Sequence, residues 1–340
     1  MDKVIEVKDL KKAYPSPKGK APLEALKGTS FEVARGEIFG ILGPNGAGKT
    51  TTLEIIEGLK RQTSGVVTVL GLDNIESSDE IKKRIGIQLQ SSQYLHHLSL
   101  GELLDLFASL YSDVSSRPRP LNQRSSAGRV EGPLHSSDAL VGRDDTKKQL
   151  LHLVGLEEKE NSEFADLSGG QKQRFTIATS LVHNPQILFL DEPTTGLDPA
   201  ARHQMWQLVK NINQKGVTII LTTHYMEEAE FLCHRVAIMD EGKILEIDEP
   251  KKLIDRMSDT VLVSFFTEKQ VDEKIFRNIP EIKKIHSGYP KVILEINSLD
   301  KISAILSLLK QNNITFYGFT AKTASLEDVY LQLTGKEYEE

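Results

Sequence analysis

An apolar segment, EIFGIL (37–42), runs straight into GPNGAGKT (43–50) and then into TTLEIIEGLK (51–60), where Leu53, Ile56 and Leu59 recur at helical spacing. A strand that ends on a glycine-rich turn and opens a helix is the setting in which G-x-x-x-x-G-K-T holds phosphate. Gly43, Gly46 and Gly48 let the backbone approach an anion and adopt conformations closed to other residues. Pro44, Asn45 and Ala47 complete the loop, whose amides converge on a β-phosphate, reinforced by the positive end of the helix. Lys49 reaches the β- and γ-phosphates, and Thr51 adds a further contact to the nucleotide. The Thr50 hydroxyl is a ligand for Mg²⁺ bridging the same phosphates. The expected cofactors are ATP and Mg²⁺.

A second apolar run, ILFLDEP (187–193), delivers two carboxylates at the carboxyl end of a buried strand, about 140 residues after the loop, which is where ligands bind parallel sheets. Asp191 is placed to hold Mg²⁺ through water, and Glu192 to accept a proton from an attacking water. Just before this strand lies LSGGQKQ (167–173), a second serine- and glycine-rich turn opening a helix. A chain that already has one phosphate loop has no use for a second at the same nucleotide.

Strands alternate with helices through the first two-thirds of the chain. Strands are expected at 3–10, on either side of Arg35-Gly36, at 64–71, 186–193, 217–224 and 235–242, with a helical pattern from about 75 to 112. Mostly apolar strands separated by helices indicate a largely parallel sheet covered on both faces, an α/β fold. From about 256 the pattern changes. VLVSFF, KVILEIN and ITFYGFTA read as strands, with helices near 270–278, 299–311 and 325–333, forming a small α/β domain over 256–335. Residues 115–143 hold six Ser, three Pro, three Gly and five Arg but no Lys, with no apolar period. They read as a flexible surface insertion.

Composition sets outer limits. A formal net charge of -6 gives the 340-residue chain no electrostatic reason to bind nucleic acid. One cysteine, Cys233, excludes an internal disulfide. The N-terminus lacks the apolar stretch of a signal peptide. No apolar run approaches the ~18 residues that span a bilayer, so work at a membrane would need a partner that sits in it.

The order phosphate loop, LSGGQ, carboxylate strand resembles the ATP-binding-cassette (ABC) family, a P-loop NTPase core with an N-terminal antiparallel β subdomain and a helical subdomain. The resemblance covers 1 to about 245, with the helical subdomain at about 90–185. It implies further roles. Gln90, in IGIQLQSS, matches the glutamine that senses the γ-phosphate through Mg²⁺ and water, with Gln88 two residues away. Asp198, in TGLDP, matches the residue that crosses a dimer interface, and His224 the switch histidine that contacts the γ-phosphate. Tyr14 matches the aromatic residue that stacks on adenine. Ser168, Gly169, Gly170 and Gln171 match the signature that binds the ATP held by a second subunit, so two cassettes pair head to tail around two nucleotides, as a homodimer in the simplest case.

The resemblance also implies separate integral membrane subunits and a place on the cytoplasmic side of the cell membrane. The ending SLEDVYLQLTG (325–335), after an α/β tail that is ferredoxin-like or similar, resembles exporter ATPases of the multidrug and antibiotic type. An importer subunit and an ATPase acting on ribosomes or DNA are the competing readings. The last class carries two cassettes or long coiled coils, and neither is present here.

Overall fold

The computed structural model describes residues 2–15, 21–88, 94–95, 97–115, 143–256, 261–276, 282–287, 289–296, 299–323 and 325–335. Its central sheet has six strands in the order Lys243–Asp248, Arg235–Asp240, Ile38–Leu42, Thr218–Thr223, Ile187–Asp191, Ile85–Gln88. All neighbours are parallel except the edge hairpin Arg235–Asp240/Lys243–Asp248. Successive side chains along a strand leave by opposite faces. Phe39, Ile41, Phe189, Ile220 and Met239 enter one hydrophobic core, and Ile38, Leu42, Leu188, Leu190, Leu221 and Ile238 the other. Both faces are covered, so these strands carry apolar residues at every position rather than at every second one.

The first core is closed by the helix Lys49–Ile56 and by an antiparallel sheet of Leu23–Ala34, Lys3–Tyr14, Ser64–Val69 and Leu72–Asp73. The second is closed by the helices Leu100–Ser115, Arg143–Leu153, Gly169–Leu181, Pro199–Gln214 and Met226–Leu232. Within the stretch expected to be helical, 75–112, lies the edge strand Ile85–Gln88, paired with Ile187–Asp191. Four residues are too few to show a period of two between flanking helical patterns. The expected insertion lies outside the described residues from 116 to 142, and so does Gln90.

The C-terminal strands form an antiparallel sheet in the order Ile282–Ser287, Lys291–Ile296, Val261–Thr267, Phe316–Thr323. Helix Ile302–Gln311 packs on it through Ile305 and Leu309. This is the ferredoxin-like strand order. The helix expected near 270–278 is, among the described residues, a single 3₁₀ turn, Glu273–Ile275, capped by Asp272.

The last helix, Leu326–Thr334, departs from the sequence reading. Leu326, Val329 and Tyr330 belong to the second core of the cassette, and the helix packs on Met226–Leu232 and Pro250–Asp255. Glu230 accepts a hydrogen bond from the Leu326 amide at 2.9 Å. An amphipathic helix shows in sequence that it needs a core, not which of two cores it joins.

Phe189 is fully buried between the sheets. Phe189→Ala is expected to lower unfolding free energy by roughly 3–5 kcal/mol, as cavity creation does for buried phenylalanines. Chemical denaturation measures it, and a loss under about 1 kcal/mol would show that this core collapses around the gap.

Candidate nucleotide site

The carboxyl ends of three adjacent strands, Ile38–Leu42, Thr218–Thr223 and Ile187–Asp191, bring the loop after the first beside His224 and the two carboxylates. At the loop the backbone is held close. Gly48 has φ +108°, and a Cβ there would stand 2.8 Å from Leu26 Cδ2 and 2.9 Å from the Ala25 carbonyl oxygen. At Gly43 a Cβ would stand 2.2 Å from the Met239 carbonyl oxygen. Side chains are excluded at both positions, so the amides form the surface of the turn.

Lys49, 4% exposed, turns its ammonium back under the loop. Nζ donates to the Gly43 carbonyl at 2.7 Å and the Pro44 carbonyl at 3.3 Å, and pairs with Glu192 Oε1 at 3.3 Å. Burial lowers its pKa, against the opposing charges of Glu192 and Asp191. Glu192 Oε2 lies 3.2 Å from His224 Nδ1 and accepts from the Thr195 hydroxyl at 3.2 Å. The His224 contact is one of proximity without hydrogen-bond alignment, since Nδ1 has no hydrogen-bond partner. Burial raises the Glu192 carboxyl, but Lys49 and His224 together hold it below its ordinary value. Glu192 is therefore ionised, as a proton acceptor must be.

Asp191 sits deeper. Thr50 Oγ1 lies 3.3 Å from Asp191 Oδ1, and the Thr222 hydroxyl donates to the same oxygen. Burial raises the Asp191 carboxyl despite both hydroxyls. A hydroxyl and a carboxylate converging in this way are hard oxygen donors that fit a divalent cation, whose charge would favour the ionised form of Asp191.

Glu192 has φ +48°, in the left-handed region that a glutamate rarely occupies. The Glu192 amide donates to the Thr222 carbonyl at 3.2 Å and to the Thr222 hydroxyl at 3.1 Å, and these bonds hold the turn. Thr222 thus orders both carboxylates, and sequence reasoning passed over it. The available signal was a hydroxyl, fully buried here, at the polar end of ILTTH.

Ser168–Gln171 and Asp198 lie apart from this cluster. Ser168 caps helix Gly169–Leu181 in a capping box: the Gln171 amide donates to Ser168 Oγ at 3.4 Å and the Ser168 amide to Gln171 Oε1 at 2.9 Å. Asp198 caps Pro199–Gln214 through the Ala201 amide at 2.9 Å. The Gln173 side-chain Nε2 donates to the Thr195 carbonyl at 3.2 Å. The hydrogen bonds of Ser168, Gln171 and Gln173 thus run within their own helix and to the Thr195 carbonyl, not to Lys49. Tyr14 ends its strand with the Lys12 and Lys60 ammonium groups 5.0 and 5.8 Å from its ring centre. Gln88, the neighbour of Gln90, is buried with Oε1 unpartnered.

A phosphate loop, a buried lysine and paired carboxylates at the carboxyl edge of a parallel sheet define a P-loop nucleoside triphosphatase. Residues 26–195 match the family described as ABC transporter. The linearmycin resistance ATP-binding protein of Bacillus subtilis is 31% identical over 98% of this chain and 99% of its own length. The Nod factor export ATP-binding protein I of Burkholderia pseudomallei is 33% identical over 92% of each. Among solved structures, a dimeric ATP-binding cassette in a post-hydrolysis state bound to ADP and Pi matches with TM-score 0.57 and 26% identity over 72% of this chain and 98% of that one. The chain belongs to the ABC transporter family, whose cassettes are ATPases. No described helix is long and apolar enough to cross a membrane.

Glu57, at the end of helix Lys49–Ile56, is 3% exposed. Burial first, then the charges of Asp191 and Glu54, push its pKa up from 4.5 to about 8. The folded chain keeps this proton to higher pH than the unfolded chain. The associated stability is complete below pH 4.5 and is lost as pH rises to about 8. Glu57→Gln is expected to melt progressively higher than the unsubstituted chain across this window, with the gap levelling above it. A gap independent of pH in scanning calorimetry would contradict the buried neutral carboxyl.

Proposed function

We propose that the chain is the ATP-hydrolysing subunit of an exporter, working as a head-to-tail pair on the cytoplasmic side of separate membrane-spanning subunits. The observation that carries this reading is the split between the two groups of polar residues. Lys49, Thr50, Asp191, Glu192 and His224 converge on one point, whereas Ser168–Gln171 makes no contact with them. A helix N-terminus at which Ser168 and Gly169 are exposed can meet a γ-phosphate held by another chain, and two such contacts close a two-fold dimer. The dimeric cassette structure supports the pairing. The relatives, one a linearmycin resistance protein and one a Nod factor export protein, support the direction of transport.

In this reading Gly43–Thr51 cradle the phosphates and Tyr14 stacks on the adenine. Lys49 exchanges its carbonyl contacts and Glu192 for phosphate oxygens, which frees Glu192 to take a proton from water. His224, beside Glu192, contacts the γ-phosphate, and Asp198 lies along the seam between the two chains. Thr50 and Asp191 would hold Mg²⁺, with Gln90 as a third ligand through water; the ion supplies charge neutralisation of the β- and γ-phosphates. ADP lacks the phosphate that touches both chains, so only ATP favours the closed pair, and this differential contact is what can drive a membrane partner. The helical subdomain, about 90–185, is the surface for that partner, and the sheet and helix between 256 and 323 are an accessory domain, tied to the cassette by the last helix.

Glu192→Gln keeps the side-chain volume and removes the proton acceptor. It is expected to leave ATP binding within about threefold and to lower turnover by roughly 10²-fold or more, the range of a lost general base. Trapped-nucleotide and phosphate-release assays measure both, and rapid turnover by this variant would remove Glu192 from the role. Lys49→Ala is expected to lose nucleotide binding or turnover. Unchanged ATPase activity would contradict the assignment of the phosphate loop.

A further inference from the structure

A second buried carboxylate lies outside the phosphate cluster. Glu228, in helix Met226–Leu232 just beyond His224, is fully buried. Its Oε1 accepts from the Thr194 hydroxyl and from Trp206 Nε1, each at 2.9 Å, while Oε2 is buried without a partner. Burial raises the Glu228 carboxyl, against the nearby Thr223, Thr194 and Trp206 side chains and the charge of Arg202. These contacts join three segments of the proposed site. Thr194 is two residues after Glu192, Trp206 lies on the helix that Asp198 caps, and Glu228 itself stands on the helix that follows His224. A parallel contact joins two of these segments: the Arg202 guanidinium lies 4.1 Å from the Tyr225 ring centre, and that ring 4.2 Å from the His224 ring. Burying a carboxyl is unfavourable and an apolar side chain would fill the space more cheaply, so simple packing does not account for a glutamate here.

We propose that Glu228 is a positioning residue for ATP hydrolysis, joining the Glu192 turn, the helix begun by Asp198 and the His224 strand end so that they move as one body. The proposal rests on the roles given above to Glu192 and His224. Glu228 touches no reacting atom. Through Thr194 it fixes the turn after Glu192, and through Trp206 it ties that turn to the helix whose first residue faces the partner chain. Closure of the pair would then be felt at the base and the histidine together.

The test uses the full chain and reads kcat, KM for ATP and the melting midpoint. Glu228→Ala is expected to lower kcat by about 10–100-fold with KM changed less than about threefold, the signature of an interaction that matters in the transition state rather than in binding. Glu228→Gln keeps an oxygen for Thr194 and Trp206 and is expected to recover most of that loss. Thr194→Val and Trp206→Phe remove one donor each and should lower kcat by roughly 3–10-fold, yet add little in the Glu228→Ala background, because the three act as one network. The proposal fails if Glu228→Ala keeps kcat within about twofold, if Gln is as impaired as Ala, or if the losses add fully. Should Glu228→Ala not fold, Thr194→Val, Trp206→Phe and their double variant decide by the same additivity criterion. Turnover by Glu192→Gln at the unsubstituted rate would instead overturn the underlying roles, whatever Glu228 does.

Discussion

The site depends on one buried ammonium. Lys49 is almost inaccessible, and a charge so placed is tolerable only if it is paired and hydrogen-bonded. Two loop carbonyls and Glu192 meet it. The loop can lend those carbonyls because glycines let its backbone fold over the lysine, and Glu192 is within reach because Thr222 holds it in a left-handed turn at the end of its strand. The arrangement is a latch that phosphate oxygens can replace, since they offer the same ammonium more negative charge at the same place. The parallel sheet is the frame that makes this geometry stiff: its strands are locked on both faces by large apolar side chains that leave no room for register slip.

Much of this was legible in the sequence because the chemistry is local. GPNGAGKT and ILFLDEP each carry their function within a few residues and name their own structural setting. What was not legible is what depends on distant pairing. Thr222 and Glu228 look like an ordinary strand residue and an ordinary helix residue. Their roles come from facing Asp191 and Thr194, which lie 31 and 34 positions away. The strand Ile85–Gln88 was too short to show its period. The last helix follows the strands of the small domain in sequence, whereas Leu326, Val329 and Tyr330 fill the cassette core. Hydrophobic spacing tells a segment that it must be buried, and tertiary competition decides where.

The last helix also gives the C-terminal domain a physical connection to the site. It packs on Met226–Leu232, which begins two residues after His224, and its first amide is held by Glu230 of that helix. Glu228, on the same helix, faces inward to Thr194 and Trp206. One short helix therefore carries contacts to the last helix through Glu230 and to the turn after Glu192 through Glu228. Sequence shows only YMEEAEFL, a run of acids that could all be solvated; burial separates them into different tasks.

The central claim is that a triphosphate joins two chains because the signature of each completes the site of the other. Its most direct test is the mass of the Glu192→Gln chain in solution, by sedimentation, with saturating Mg-ATP and then with Mg-ADP. The account predicts a two-chain species with ATP that reverts to single chains with ADP. A chain that stays single at saturating ATP, with nucleotide demonstrably bound, would contradict it.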